Sequence, residues 1–142
     1  MSDTFSLDLS RGQIAEQLWL NRLLITWPEA IQIEGYFREY DIIIPDVAKF
    51  EVKHDEVSNK TNNYFIEFED AGNPSGINHT TADFWVEWDG IEWCVVYVKE
   101  LKQLIKDNNF KIYEGKANNN NRNMKGYLIP KPMLRALHKS YF

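Results

Sequence analysis

Asp41, Glu51 and Lys53 are the residues of this chain whose types and spacing could do chemistry together. They lie in the stretch Tyr40 to Asp55, YDIIIPDVAKFEVKHD. Asp41 heads the β-branched run Ile42-Ile43-Ile44, which Pro45-Asp46 closes with turn chemistry. Phe50-Glu51-Val52-Lys53 then alternates with period two, so Glu51 and Lys53 share one face and Phe50 and Val52 the other. Two adjacent strands would bring two carboxylates and one ammonium into a small volume. There they could hold a divalent cation and activate a water. Alternatively they form an ordinary exposed ladder whose ion pair contributes under about 1 kcal/mol. Strands covered on both faces favour the metal, because charge there needs a partner.

The elements around this stretch must position those groups. Ser10 can cap a helix starting at Arg11 or Gly12, with Ile14, Leu18, Trp19, Leu23 and Leu24 at roughly helical spacing and an end before Trp27-Pro28. Glu16 on that helix is either a solvated surface glutamate or a carboxylate aimed at the sheet and approaching Asp41. From Ile31 to Ile44 the pattern predicts a strand, a turn or bulge at Gly35, and a second strand ending at Pro45. The short link Asp46 to Lys49 makes the strands flanking it an antiparallel hairpin.

Further along, His54 to Asn62 reads as a polar loop and Asn63 to Glu69 as another alternating strand. Asp70 to Thr81 is dense in turn chemistry, and its His79, Thr80 and Thr81, with Asp83, either cap local structure or touch a substrate backbone. Ala82 to Trp88 and Glu92 to Val98 form a second hairpin about Asp89-Gly90. Lys99 to Asn108 is a helix with Leu101, Leu104 and Ile105 inward. Lys116 to Lys125 is a polar, basic loop, either without a task or a phosphate-contacting arm. Gly126 to Ile129 is a short last strand, and Pro130 to Tyr141 a terminal helix or helical turn.

Composition narrows the function classes. A chain of 142 residues with 44% hydrophobic and 14% aromatic content reads as one folded domain, residues 1–142. No run has the ~20 apolar residues of a membrane helix and the N-terminus has no secretory pattern, so an intracellular, cytoplasmic protein is expected. The single cysteine, Cys94, excludes an internal disulfide and a multi-cysteine zinc site. His54, His79 and His138 lack metal-ligand spacing. Neither glycine-rich phosphate motif is present, which removes the standard nucleotide-cofactor readings. A formal charge of −5 opposes wholesale attraction to nucleic acid, although base gathers between Lys99 and Lys139.

In combination, Glu16 on a helix, Asp41 at a strand end, and Glu51-x-Lys53 on the next strand resemble the PD-(D/E)xK nuclease superfamily, in particular its Holliday-junction-resolvase-like and phage-type branches. Asn63-Tyr64-Phe65-Ile66-Glu67, Pro74-Ser75-Gly76-Ile77 and Thr81-Ala82-Asp83-Phe84-Trp85 are similar to segments that the phage-type members carry. The literal Pro-Asp, Pro45-Asp46, is only five residues before Glu51, too tight for two paired-strand ligands, so Asp41 is preferred and Asp46 is a rival.

The resemblance implies an α/β fold with a restriction-endonuclease-like αβββαβ core, a central mixed sheet flanked by helices. It also implies a metal-dependent DNA endonuclease, host-encoded or viral, in the latter case acting in the host cytoplasm. Glu16, Asp41, Glu51 and Lys53 would be catalytic. Asp41, Glu51, the Val52 carbonyl and Glu16 would hold Mg²⁺ or Mn²⁺, hard cations suited to oxygen. Lys53 would orient water or stabilise developing charge. A structure-selective resolvase cutting branched DNA needs two active sites, hence a homodimer, with DNA on Lys60, Lys99, Lys111, Lys116, Arg122 and Lys125. A restriction-like or exonucleolytic recombination or replication nuclease is an alternative. So is a catalytically degenerate DNA- or protein-binding module.

Overall fold

The Ile42–Ile44 and Ala48–His54 strands (β2 and β3) pair antiparallel as the short connection requires, with Ile42 opposite Phe50 and Ile44 opposite Ala48. Asp46 sits in the turn with φ of +64°, exposed to solvent. The computed structural model describes residues 3–35, 38–117 and 122–142, and the side chains of 12–35, 38–115 and 123–142.

The chain is α/β, built on a mixed five-stranded sheet. Ile31–Gln32 (β1) lies at one edge and pairs antiparallel with β2. On the other side of β3, Phe84–Trp88 (β6) runs parallel to it, and Trp93–Tyr97 (β7) closes the sheet antiparallel to β6. A parallel neighbour demands a long crossover. Here it is made by a short helix, Ser58–Thr61 (α2), two strands, Asn63–Asp70 (β4) and Asn73–Pro74 (β5), and a 3₁₀ turn, Gly76–Asn78. These strands belong to a second sheet of order β5-β4-β9-β8, in which β8 is Lys111–Ala117 and β9 is Arg122–Pro130.

The second sheet corrects two expectations. Of the segment Lys116 to Lys125, expected to be one loop, residues 116–117 end β8 and 122–125 begin β9, in a register that runs from Lys111 opposite Leu128 to Ala117 opposite Arg122, and 118–121 lie outside the described residues. The last strand is likewise longer than Gly126 to Ile129, because it pairs along both β4 and β8. Polar composition hid these strands. Asn123 is exposed and Lys125 half-buried, while Ile129 is buried and Tyr127 half-buried against the second core.

The first helix also departs from expectation. It spans Asp3–Leu24 (α1), beginning ahead of the Ser10 cap. Its buried stripe is Ala15, Trp19 and Leu23, each 1% exposed, whereas Ile14 is 50% exposed. The stripe is turned by about one residue from the one that aliphatic spacing suggested, because the Trp19 ring fills more space against Phe50 and Trp93 than any aliphatic residue nearby could. That rotation carries Glu16 inward beside Ala15.

Two apolar cores result. One lies between α1 and the face of the first sheet that carries Phe50, Val52, Phe84 and Val86. The other lies between its opposite face, with Trp85, Cys94 and Val96, and the second sheet. Tyr64, Ile66 and Ile129 pack there, together with Leu101 of the helix Val98–Asp107 (α3) and Leu134 of Lys131–Arg135 (α4). The expected second hairpin and α3 are present within a residue or two, and Cys94 is buried as an inert thiol. Trp85 is fully buried in the second core, and Trp93 is half-buried against the first. Among the described residues no helix is long and apolar enough to cross a membrane.

Candidate active site

The site is built where β2 stops and β3 continues. Asp41 immediately precedes β2, and its backbone N–H donates to the Phe50 carbonyl at 2.8 Å. Beyond that point β3 has no strand partner on this side, and the Asp41 side chain takes over: its Oδ2 accepts the Val52 N–H at 2.7 Å. The carboxylate is thereby fixed opposite the residue that separates Glu51 from Lys53, and it is 4% exposed. A buried carboxylate requires charge compensation.

Arg38 supplies it. Its Nε donates to Asp41 Oδ1 at 2.7 Å and its Nη2 to Glu16 Oε1 at 2.6 Å. One guanidinium fork therefore joins the helix glutamate to the strand-end aspartate, a geometry that lysine could not reproduce. Glu16 is 7% exposed and also accepts from Gln32 Nε2 at 2.9 Å, so the inward reading of this residue is the one the fold adopts. Burial, then the neighbouring Asp41 charge, push its carboxyl up to about 7, against the pull of Arg38.

Glu51 and Lys53 occupy the opposite face of β3 from Val52. Glu51 Oε1 accepts from the Thr80 hydroxyl at 3.2 Å, and its Oε2 lies 3.4 Å from Lys53 Nζ. Desolvation raises the Glu51 carboxyl above the ordinary range although Lys53 opposes it, with Asp41 adding to the rise. Burial alone would lower the Lys53 ammonium, but Glu51, Glu67 and Asp41 outweigh it and hold the group protonated. Lys53 is thus a fixed cation, suited to stabilising negative charge and not to abstracting a proton. Its Nζ stands 5.6 Å from the Trp85 ring centre, which limits where the stem can move.

Glu16, Asp41, Glu51 and Lys53 therefore form one electrostatic unit. Their carboxylates do not converge on a single point: among the described residues, no group of three or more His, Cys, Asp or Glu side chains is arranged to hold a metal ion. The reason is geometric. Arg38 lies against Glu16 and Asp41, while Thr80 and Lys53 hold Glu51 aside. The donor types, carboxylate oxygens, are those a hard cation takes, and two of them, from Glu16 and Asp41, already share one positive group, Arg38.

The weaker acids serve the scaffold or flank the site. Asp55 accepts the N–H groups of Ser58 and Phe65, tying the end of β3 to α2 and β4. Glu67 faces Lys53 from the second sheet. Glu87, opposite Lys53 in the β3–β6 register, is 1% exposed and accepts from Trp85 Nε1 at 2.8 Å. Of the histidines, His138 Nδ1 accepts the Val95 N–H, a structural role.

The basic residues expected to meet DNA are dispersed. Lys60, Lys99 and Lys111 are exposed on α2, α3 and β8, and Lys125 is paired with Glu69 at 3.3 Å. The side chains of Lys116 and Arg122 lie outside the described residues.

Arg38, Gln32 and Thr80 are the partners that sequence reasoning missed or left open. An Arg three residues before an Asp has no specificity as a motif. Only the chain reversal after β1 brings it to Glu16. Protein-family models, curated proteins and solved structures contain no match to this chain.

Proposed function

We propose that the chain is a metal-dependent phosphodiester hydrolase acting on DNA, with a restriction-endonuclease-like core and selectivity for branched structures. The observation that carries this reading is the Asp41–Val52 hydrogen bond. It sets the strand-end carboxylate against the residue between Glu51 and Lys53, the juxtaposition that the resemblance to the PD-(D/E)xK nucleases implies. Asp41, Glu51 and the Val52 carbonyl would hold Mg²⁺ or Mn²⁺, and Glu16 would complete the set. The ion would supply charge neutralisation at the phosphate and a more acidic water. Lys53, kept protonated by its carboxylate neighbours, stabilises charge developing on the phosphate or orients the attacking water. The Thr80 hydroxyl donates to Glu51 Oε1 and orients that carboxylate. Action on a two-fold junction calls for a homodimer, and access to DNA for a cytoplasmic location.

One observation favours a second reading, a degenerate DNA- or protein-binding module. The Arg38 fork satisfies Glu16 and Asp41 without any metal. Incubation with four-way junction, flap and linear DNA in Mg²⁺ or Mn²⁺, beside Asp41→Ala and Lys53→Ala, separates the two. Cleavage by the wild type and by neither variant is expected for the nuclease, whereas binding without cleavage in every condition selects the module.

A further inference from the structure

β7 ends the first sheet, whose order is β1-β2-β3-β6-β7, and an edge strand left open presents unpaired N–H and C=O groups. At Val95 both groups are taken by the chain that follows α4. The Val95 carbonyl accepts the Lys139 N–H at 2.7 Å, and the Val95 N–H donates to His138 Nδ1 at 2.9 Å. Residues 138–142 are thereby strapped along the edge. Farther on, the Phe142 ring meets those of Trp19, Phe50 and Phe84 at centre distances of 6.4, 5.0 and 5.1 Å, and its main-chain oxygen accepts from Arg22 Nε and Nη2.

A further strand in this place would offer Val95 a main-chain carbonyl, which accepts at any pH. Here the acceptor is an imidazole nitrogen, and it accepts only while it carries no proton. The docked ring is therefore neutral, with its proton on Nε2. A proton on Nδ1 would set two N–H donors against each other at 2.9 Å. The charged groups around the ring are Arg135 on α4, Glu92 just ahead of β7 and Arg22 on α1, with Lys139 of the strap paired to Glu100 of α3 at 3.2 Å. Burial, then Arg135, hold the imidazole below its ordinary range, Glu92 opposes them, and Arg22 adds to the fall. The docked strap is thus favoured at neutral pH, and the preference is lost as pH falls below the ordinary imidazole value of 6.5. We infer that His138 is an acid-sensitive latch: a proton on Nδ1 breaks its bond to Val95, frees residues 138–142 from β7 and opens the outer edge of the first sheet. The latch is independent of the hydrolase reading. Its release also withdraws Phe142 from Trp19, the ring that sets which stripe of α1 faces the sheet, and so couples acid to the helix that carries Glu16.

Amide hydrogen exchange followed by NMR at about pH 7 and about pH 5, corrected for the intrinsic exchange rate, tests the latch. The chains compared are the wild type and His138→Asn, whose Oδ1 takes the place of Nδ1 as acceptor and does not titrate in this range. In the wild type, protection of the Val95 amide is expected to fall by about tenfold on acidification, the scale of one lost hydrogen bond. Protection of Val96, in register with Trp85 of β6, is expected to change by less than about twofold. In His138→Asn the Val95 protection is expected to hold at both pH values. Titration of the wild-type His138 ring resonances is expected to give a midpoint below 6.5. The two wild-type measurements need no substitution and decide the matter should His138→Asn fail to fold. Val95 protection indifferent to pH, an equal fall in both chains, a parallel fall at Val96, or a His138 midpoint at or above 6.5 overturns the latch.

Discussion

Asp41 and Val52 are joined by a 2.7 Å hydrogen bond from backbone N–H to carboxylate, made where the ladder between β2 and β3 has run out. A side chain thus continues the sheet for one further step. This fixes the carboxylate against the strand that carries Glu51 and Lys53, and it gives the carboxylate a part in holding the sheet together.

Replacement of Asp41 by Asn keeps the shape but removes the charge that Arg38 faces. Loss of charge-assisted bonds to a buried group is expected to cost about 1–3 kcal/mol in urea denaturation. Cleavage of junction DNA in Mg²⁺ is expected to disappear in the folded fraction.

Lys53→Met keeps the stem that packs near Trp85 and removes the ammonium beside Glu51. Single-turnover cleavage is expected to fall by about 10²–10³, the usual scale for deleting one group that stabilises transition-state charge. An equal rate in wild type and variant would take Lys53 out of the mechanism.

Glu87 makes stability depend on pH. Burial, then the nearby Asp55 charge, push its carboxyl from 4.5 up to about 8. The folded chain therefore holds this proton more tightly than the unfolded chain does. The resulting stabilisation is complete below about 4.5 and is lost as pH rises through about 8. Glu87→Gln retains the acceptor for Trp85 Nε1 and is expected to flatten this fall, so its urea midpoint exceeds that of the wild type at pH 8 more than at pH 5.

Lys131 provides a control away from the site. Its Nζ lies 2.8 Å from Asp89 Oδ2 and donates also to Asn59, with Asp89 2% exposed in its side chain. Lys131→Ala removes the only cation bonded to Asp89 among the described residues, Asp89 keeping the N–H groups of Ile91 and Glu92, and is expected to cost about 1–3 kcal/mol, with cleavage per folded molecule unchanged.

Gly76 is the tightest backbone position beside the Thr80 loop. It has φ of +50°, and a Cβ there would stand 2.1 Å from the Glu67 carbonyl oxygen. Gly76→Ala is expected to destabilise the chain by more than about 2 kcal/mol and to loosen the Thr80 contact to Glu51, read as a lower chemical-denaturation midpoint.

Much of this fold was legible because hydrophobic period and turn chemistry are local. Ile42 to Ile44, the Pro45-Asp46 turn, the alternation from Phe50 to Lys53 and the Asp89-Gly90 hairpin each follow from neighbours in the chain. The candidate residues Asp41, Glu51 and Lys53 were legible for the same reason, since strand position and side-chain parity are read within a few residues. Glu16 was open, because its direction depends on which stripe of α1 the sheet accepts. Trp19, a large ring that only the packed core can evaluate, made that choice. The assignment of β4 to a second sheet and the parallel pairing of β3 with β6 were also not local, for the first depends on β9, more than fifty residues beyond β4, and the second joins strands separated by the whole crossover. The same holds for the cation of the site. The types of Glu16, Arg38 and Asp41 are written in sequence, but that one guanidinium joins two buried carboxylates is a consequence of bringing α1, the segment before β2, and β3 to one place, where desolvation makes an unpaired charge too costly to leave.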